Sequence, residues 1–309
     1  MPKSDEGWRL ITDLSSPEGN SINYFISPQF TSVQYTSLDS ILDNIHLHGK
    51  NALLAKMDIK SAFRLLKIHP ADFDLMGIKF GGSYYIDKCL PMSCSVSCKL
   101  YEIFSTFLQW ALERRTNSKS VDHYLDDFIF MGSANTGDCA MLMSSFDKLC
   151  LELGVPLSKN KTMDLCTLLP FLGYLIDTEM LRILIPPEKF DTLRSSLESL
   201  MTKKKATLKE LQSVSGLMSF CSKAIPSSRT FIETFYDLIR SVEKLHHRIR
   251  LNAEIKEDIS MWLQFLDKFI GYCFFPERIW TSNDVLHLHT DSSGNPELGC
   301  GALFGHKWS

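Results

Sequence analysis

Apolar residues along this 309-residue chain recur at two periods, and the alternation between them predicts the order of its elements. Leu38, Ile41, Leu42 and Ile45 fall at helical spacing behind Thr36 or Ser37, either of which suits an N-cap, and the run closes near Gly49. Residues 52–59 read as a buried strand with Asp58 at its end. Gly81-Gly82 separates 77–80 from 84–86, the arms of a predicted hairpin. Leu100, Ile103, Phe104, Phe107, Leu108 and Ala111 then form one helical apolar stripe. Two short strands, 121–125 and 128–132, flank Asp126-Asp127. Leu142, Phe146, Leu149, Cys150 and Leu153 predict a second long helix, stopped at Gly154 ahead of Pro156. A further hairpin pairs 171–176 with 181–185. The succession is that of an α+β layer, an antiparallel sheet backed by helices.

The pattern changes at Pro186-Pro187. Beyond it the chain reads as helical to about residue 270, with Thr207-Leu208-Lys209-Glu210 as a capping box. A last strand-like run, 285–290, ends at Asp291. Three segments are therefore expected: 1–185, 186–280 and 281–309.

Composition adds limits. With 44% hydrophobic and 22% charged residues the chain has the make-up of a folded protein. No apolar run approaches the roughly 20 residues of a membrane span. Met-Pro-Lys-Ser-Asp-Glu at the start leads into no signal-peptide core. An intracellular protein with no membrane partner is the expectation. The nine cysteines include no Cys-x-x-Cys, and nothing completes a zinc site around Cys94 and Cys98, so reduced, packed thiols are expected. A net charge of −3 argues against binding nucleic acid by overall charge, yet residues 188–250 carry 12 Lys/Arg against 7 Asp/Glu. That basic stretch suits a phosphate backbone, although a solvated helical face accounts for it equally well.

Asp58, Asp126 and Asp127 all stand at ends of apolar strands. Carboxylates held there by a sheet can share two hard cations about 3.5–4 Å apart, the arrangement that activates a hydroxyl and neutralises a triphosphate. The plainer reading is a polar hairpin turn, which Asp also favours.

The wider setting of these residues decides between the two. Asp58-Ile59-Lys60-Ser61-Ala62-Phe63 resembles the first palm motif of reverse transcriptases, and Tyr124-Leu125-Asp126-Asp127 resembles their Tyr-x-Asp-Asp box. Phe171-Leu172-Gly173 resembles the primer grip, Leu90-Pro91-Met92-Ser93 the Leu-Pro-x-Gly segment, and Trp8-Arg9-Leu10 with Asp13-Leu14 the fingers motif. All five come in the family's order across most of 7–185. Their wording is most similar to that of DIRS-type (tyrosine-recombinase) retrotransposons. His289-Thr290-Asp291-Ser292-Ser293 with Gly299-Cys300-Gly301-Ala302 resembles the start of a ribonuclease H domain. It supplies one of the four carboxylates such a nuclease uses, so RNA cleavage is not expected of this chain.

The resemblance implies a right-hand polymerase fold: partial fingers and an antiparallel palm within 1–185, a helical thumb and connection over 186–280, and a truncated ribonuclease H-like segment over 281–309. It implies an RNA-directed DNA polymerase acting on an RNA or DNA primer–template with deoxynucleoside triphosphates and two Mg2+ ions, Mn2+ being an alternative. Asp58, Asp126 and Asp127 become the catalytic, metal-binding carboxylates. Arg9, the Ile59 carbonyl, Phe63 as a gate against the ribose 2′-hydroxyl, Met92 and Lys161 become the nucleotide-binding set, with Lys159 a rival to Lys161. Phe171, Leu172 and Gly173 form the primer grip, and Lys203, Lys204, Lys205 and Lys209 touch phosphates. Ser93 departs from the family's glycine, so crowding of the nucleotide or an unfavourable backbone is expected there. An inactive remnant that only binds nucleic acid stays open as the alternative, as does, against Phe63 and the 171–173 box, an RNA-templated RNA polymerase.

Overall fold

The computed structural model describes residues 11–242, 248–276, 282–292 and 299–308. The fingers-like Trp8-Arg9-Leu10 lies outside them.

After a short helix, α1 (Ile22–Phe25), comes α2 (Leu38–His48). Ser37 caps it, accepting from the Ser40 amide, and Gly49 closes it at φ 78°. Strand β1 (Leu53–Asp58) follows, then the small hairpin β2 (Gly77–Phe80) and β3 (Ser83–Ile86). Next come α3 (Ser97–Thr116), β4 (Val121–Tyr124), β5 (Asp127–Gly132), α4 (Asp138–Leu153) and β6 (Met163–Cys166). The central sheet has the order β4-β5-β1-β6, and both β1–β5 and β1–β6 are antiparallel. Its core is one cluster in which Ala55, Met57 and Ile59 meet Phe128 and Phe130 of β5, Leu108 and Leu112 of α3, and Leu142, Phe146 and Leu149 of α4. Leu54 on the opposite face of β1 is also fully buried. Burial on both faces explains why 52–55 is an apolar run rather than an alternation.

Helix α3 is rotated from the expected stripe. Tyr101, Ser105, Leu108 and Leu112 face inward, whereas Leu100, Ile103, Phe107 and Trp110 are exposed. The inward row and the expected stripe both have helical spacing and lie about 100° apart, so periodicity alone cannot rank them. The inner row carries the small Ser97 and Ser105, which permit close approach to the sheet.

A second sheet is made of β7 (Leu168–Phe171), β8 (Tyr174–Asp177), β9 (Arg182–Leu184) and, from later in the chain, β12 (Tyr272–Phe274), in the order β12-β9-β8-β7. Here β7 and β8 replace the single strand expected over 171–176. The chain reverses through Leu172 (φ 49°) and Gly173 (φ 83°), a two-residue loop with both φ positive, whose twist matches that of the strands it joins.

Helices α5 (Pro187–Thr202), α6 (Leu208–Cys221), α7 (Glu233–Arg240) and α8 (Ala253–Lys268) bear out the helical reading of the next region, and Thr207 and Glu210 form the expected capping box. Two short pairings interrupt it. One joins β10 (Lys205–Thr207) to β11 (Arg248–Arg250), and in the other β12 (Tyr272–Phe274) returns to β9.

Contacts divide the chain into two compact units at Phe274/Phe275. The second holds α9 (Asn283–Leu286) and the antiparallel strands β13 (Leu288–Ser292), β14 (Cys300–Phe304) and β15 (Lys307–Trp308). Val285 and Leu286, expected in a strand, are helical; the helix ends at His287 (φ 50°), and Asn283 Oδ1 accepts from the Leu288 amide beyond it. Among the described residues no helix is long and apolar enough to cross a membrane.

Candidate active site

Three carboxylates meet at one end of the central sheet. Asp58 closes β1, and the antiparallel register sets it opposite Asp127, the first residue of β5. Tyr124 of β4 also pairs with Asp127, so Leu125 and Asp126 form a two-residue turn, with Leu125 in the left-handed region at φ 53°. The Ile59 amide donates to the Asp126 carbonyl at 2.9 Å, and the Ser158 amide to the Asp58 carbonyl at 2.8 Å. Asp126 is thereby held over the end of β1. Ile59 itself is buried.

Like charges directly opposite on a sheet repel. Each member of the opposed pair has its own ammonium. Lys161 Nζ lies 2.8 Å from Asp58 Oδ2, and Lys56 Nζ lies 2.9 Å from Asp127 Oδ2. The first lysine is well exposed (59%) and the second sheltered (17%). Lys161, at the end of the short turn Lys159–Lys161, is thus the residue that reaches the carboxylates rather than Lys159.

Burial pushes the Asp58 carboxyl up to about 6, against the hydrogen bond from Lys161 and with help from the Asp126 charge. Asp126 is also raised, first by burial. The hydrogen bond to Asp58 raises Lys161 in turn. Asp127 Oδ1 is buried without a hydrogen-bond partner. Two mutually repelling carboxylates and an unpaired buried carboxylate oxygen fit a hard divalent cation such as Mg2+ or Mn2+. Among the described residues no three His, Cys, Asp or Glu side chains converge on one point; Asp127 is turned toward Lys56.

Phe63, in the 3-10 turn Ala62–Leu65, is half-buried with its ring 5.2 Å from that of the buried Tyr101. Met92 is exposed. Ser93 is not among the residues of positive φ, so the unfavourable backbone expected there does not arise. Its hydroxyl sits 3.0 Å from Thr12 Oγ1, and its carbonyl accepts from Asn23 Nδ2 at 2.9 Å.

The 171–173 segment forms the tip of the β7–β8 hairpin. A Cβ on Gly173 would stand 2.6 Å from Lys189 Nζ and 3.1 Å from the Phe220 ring, so this glycine serves close approach as well as positive φ. Tyr174 stacks on Phe220 of α6 at 4.2 Å and donates to its carbonyl. Lys56 Nζ lies 5.7 Å from the Phe171 ring centre. Lys56, Tyr174 and Phe220 were not anticipated. Only Lys56 left a signal: it is the one basic residue in an otherwise apolar strand, where a charge requires a partner.

Lys203, Lys204, Lys205 and Lys209 occupy β10 and its flanks. Lys203 is engaged by Glu210, whose carboxyl it holds down at about 2, while Lys204, Lys205 and Lys209 are exposed. Arg9 lies outside the described residues.

Residues 1–176 match the family model described as reverse transcriptase (RNA-dependent DNA polymerase). The chain belongs to the reverse transcriptase family. Its relatives include the Pro-Pol polyprotein of feline foamy virus, 25% identical over 77% of this chain and 18% of that protein. Another is Protein P of duck hepatitis B virus (strain China), 27% identical over 57% of this chain and 21% of that protein. The chain thus spans about a fifth of the length of these relatives. Among solved structures, the foamy viral protease–reverse transcriptase in complex with double-stranded DNA superposes with a TM-score of 0.67 at 19% identity, covering all of this chain and half of that one. That likeness shows the polymerase fold.

Proposed function

We propose that this chain is the RNA-directed DNA polymerase part of a retroelement reverse transcriptase. The observation that carries the reading is the meeting of Asp58, Asp126 and Asp127 at one sheet end, each member of the opposed pair neutralised by its own lysine. Asp58 and Asp126, with the Ile59 carbonyl, would hold two Mg2+ ions, or Mn2+, and Asp127 would support them. Bound there, the ions would lower the pKa of the primer 3′-hydroxyl and neutralise the triphosphate.

The remaining steps belong to the protein. Lys161, on an exposed side chain 2.8 Å from Asp58, would hold a proton beside the triphosphate and would give it to departing pyrophosphate. Phe63, whose ring packs on that of Tyr101, would stand against a ribose 2′-hydroxyl and so favour deoxynucleotides. Arg9 would take triphosphate oxygens through its planar fork, and Met92 would line the base pocket. Phe171, Leu172 and Gly173 would bear on the primer end.

The primer–template phosphates would follow Lys204, Lys205 and Lys209. On the β10–β11 ribbon Lys205 stands opposite Arg250 and Thr207 opposite Arg248, while Ala206 and Ile249 are buried on the other face. A like-charged cross-strand pair is unfavourable by itself and gains from a polyanion. The foamy viral relative, solved with double-stranded DNA, favours the same partner class.

Finer assignments rest on residue wording. The motifs favour a DIRS-type element, with fingers and palm over 1–185 and thumb and connection over 186–280. The antiparallel β13-β14-β15 unit, with Asp291 on β13, suits the opening of a ribonuclease H domain over 281–309.

Primer extension on an RNA template with a DNA primer and Mg2+ tests the proposal. Incorporation that disappears in Asp126→Asn supports it. A wild-type chain that binds primer–template but incorporates nothing supports the binding remnant instead.

A further inference from the structure

We propose that Lys56 is a positioning residue that ties the catalytic hairpin to the primer-grip hairpin, its single ammonium serving both the Asp127 carboxylate and the Phe171 ring. The inference rests on the polymerase reading of those two hairpins.

Lys56 sits inside β1, two residues before Asp58 and so on the same face of the sheet. Its cross-strand neighbours are Ile129 on β5 and Met163 on β6, both apolar. A Leu or Val would pack there without the desolvation that a sheltered ammonium costs. Asp127 is the diagonal neighbour, because Asp58 pairs with Asp127 and Lys56 with Ile129. A long side chain spans that diagonal.

Two contacts result, and they belong to different sheets. Asp127, at the turn of β4–β5, receives the ammonium at 2.9 Å. Phe171, at the end of β7, presents its ring at 5.7 Å, within range of a cation–π attraction. With Oδ2 fixed by Lys56, the Asp127 carboxylate cannot rotate freely, and the direction of its unpaired Oδ1 is set. With Phe171 drawn to the same charge, the β7–β8 tip is placed relative to the carboxylates. Polymerisation needs that relation, because the 3′-hydroxyl must be held against the reacting phosphate to within a fraction of an ångström.

The test uses the full chain with Lys56→Met, which keeps length and loses charge, and Lys56→Arg, which keeps charge. Hydrogen exchange is followed at residues 124–128 and 171–174. The tie requires both segments to exchange faster in Lys56→Met and both to return toward wild type in Lys56→Arg, with α3 unchanged. In primer extension Lys56→Met should lower kcat about tenfold while nucleotide KM stays within about twofold. Mn2+ binding, read by electron paramagnetic resonance, should be no weaker, since an ammonium has been removed from beside carboxylates.

A change in only one hairpin, or undiminished kcat, overturns the proposal. If Lys56→Met does not fold, Phe171→Leu reads the tie from the other end: exchange at 124–128 must rise, and unchanged exchange overturns it. A wild-type chain without incorporation sinks the polymerase reading, and the exchange pattern then decides the tie by itself.

Discussion

The two flanks of the acidic sheet end carry the same chemistry, a lysine on an aspartate, in different settings. On one flank Lys161 projects from a surface turn onto Asp58, with most of its side chain in water. On the other Lys56 reaches Asp127 from inside a central strand, largely sheltered and beside an aromatic ring. The distances, 2.8 Å and 2.9 Å, do not distinguish them. Exposure does. An exposed ammonium exchanges its partner for water or a phosphate at little cost, whereas a sheltered one that leaves strands a buried charge. Lys161 is therefore the movable cation and Lys56 the fixed one.

The largest expected effect lies between the flanks. Asp126→Asn should reduce incorporation by at least about a hundredfold, the scale of losing a principal electrostatic group, read in single-turnover primer extension. Activity near wild type would remove the metal role from this sheet end. Next, Lys161→Ala should slow turnover by about a hundredfold, the low end of what a positioned proton donor contributes, while leaving the melting temperature and hydrogen exchange of both hairpins unchanged. Loosened hairpins in this variant would break the contrast with Lys56.

Acidity sharpens the same contrast. Asp58 holds its proton more tightly in the folded chain, where its carboxyl is raised from 3.8 to about 6. That contribution to stability is complete below the unfolded value and is lost as pH rises through about 6. The metal-free chain should therefore lose melting temperature between pH about 4 and about 6, and Asp58→Asn should flatten that fall. Mn2+ should bind more weakly as pH drops below about 6, since the ligand must shed its proton. A melting temperature flat across the window would contradict the buried setting of Asp58.

Smaller effects are expected at the hairpin tip and behind the nucleotide pocket. Gly173→Ala forces a side chain into a positive-φ position against Lys189 and Phe220 and should cost about 1 kcal/mol or more, measured by denaturant unfolding. Ser93→Gly should lower the nucleotide KM by no more than about threefold, because the serine hydroxyl is already turned to Thr12. An unchanged KM would show that Ser93 does not hinder the nucleotide.

The sequence alone determined which residues end strands and which turn the chain. Ser37 and Gly49 around α2, Thr207 and Glu210 at α6 and Gly154 after α4 act through their own backbones within a few residues, so their signals are local. The three aspartates were legible for the same reason, as polar residues closing apolar runs. The tertiary structure decided which row of α3 faces inward, since both rows carry large apolar residues at helical spacing and only the sheet beneath selects the one with small serines. It decided that Lys161 rather than Lys159 reaches Asp58, because the outcome depends on a turn packed against a strand more than a hundred residues away. It decided that residues 171–176 bend at Leu172, a non-glycine in the left-handed region that local preference opposes and the packing of Tyr174 on Phe220 favours. And it gave Lys56 its two partners. A charge in a strand announces that some partner must exist; only the register of β1 with β5 and the approach of β7 specify which.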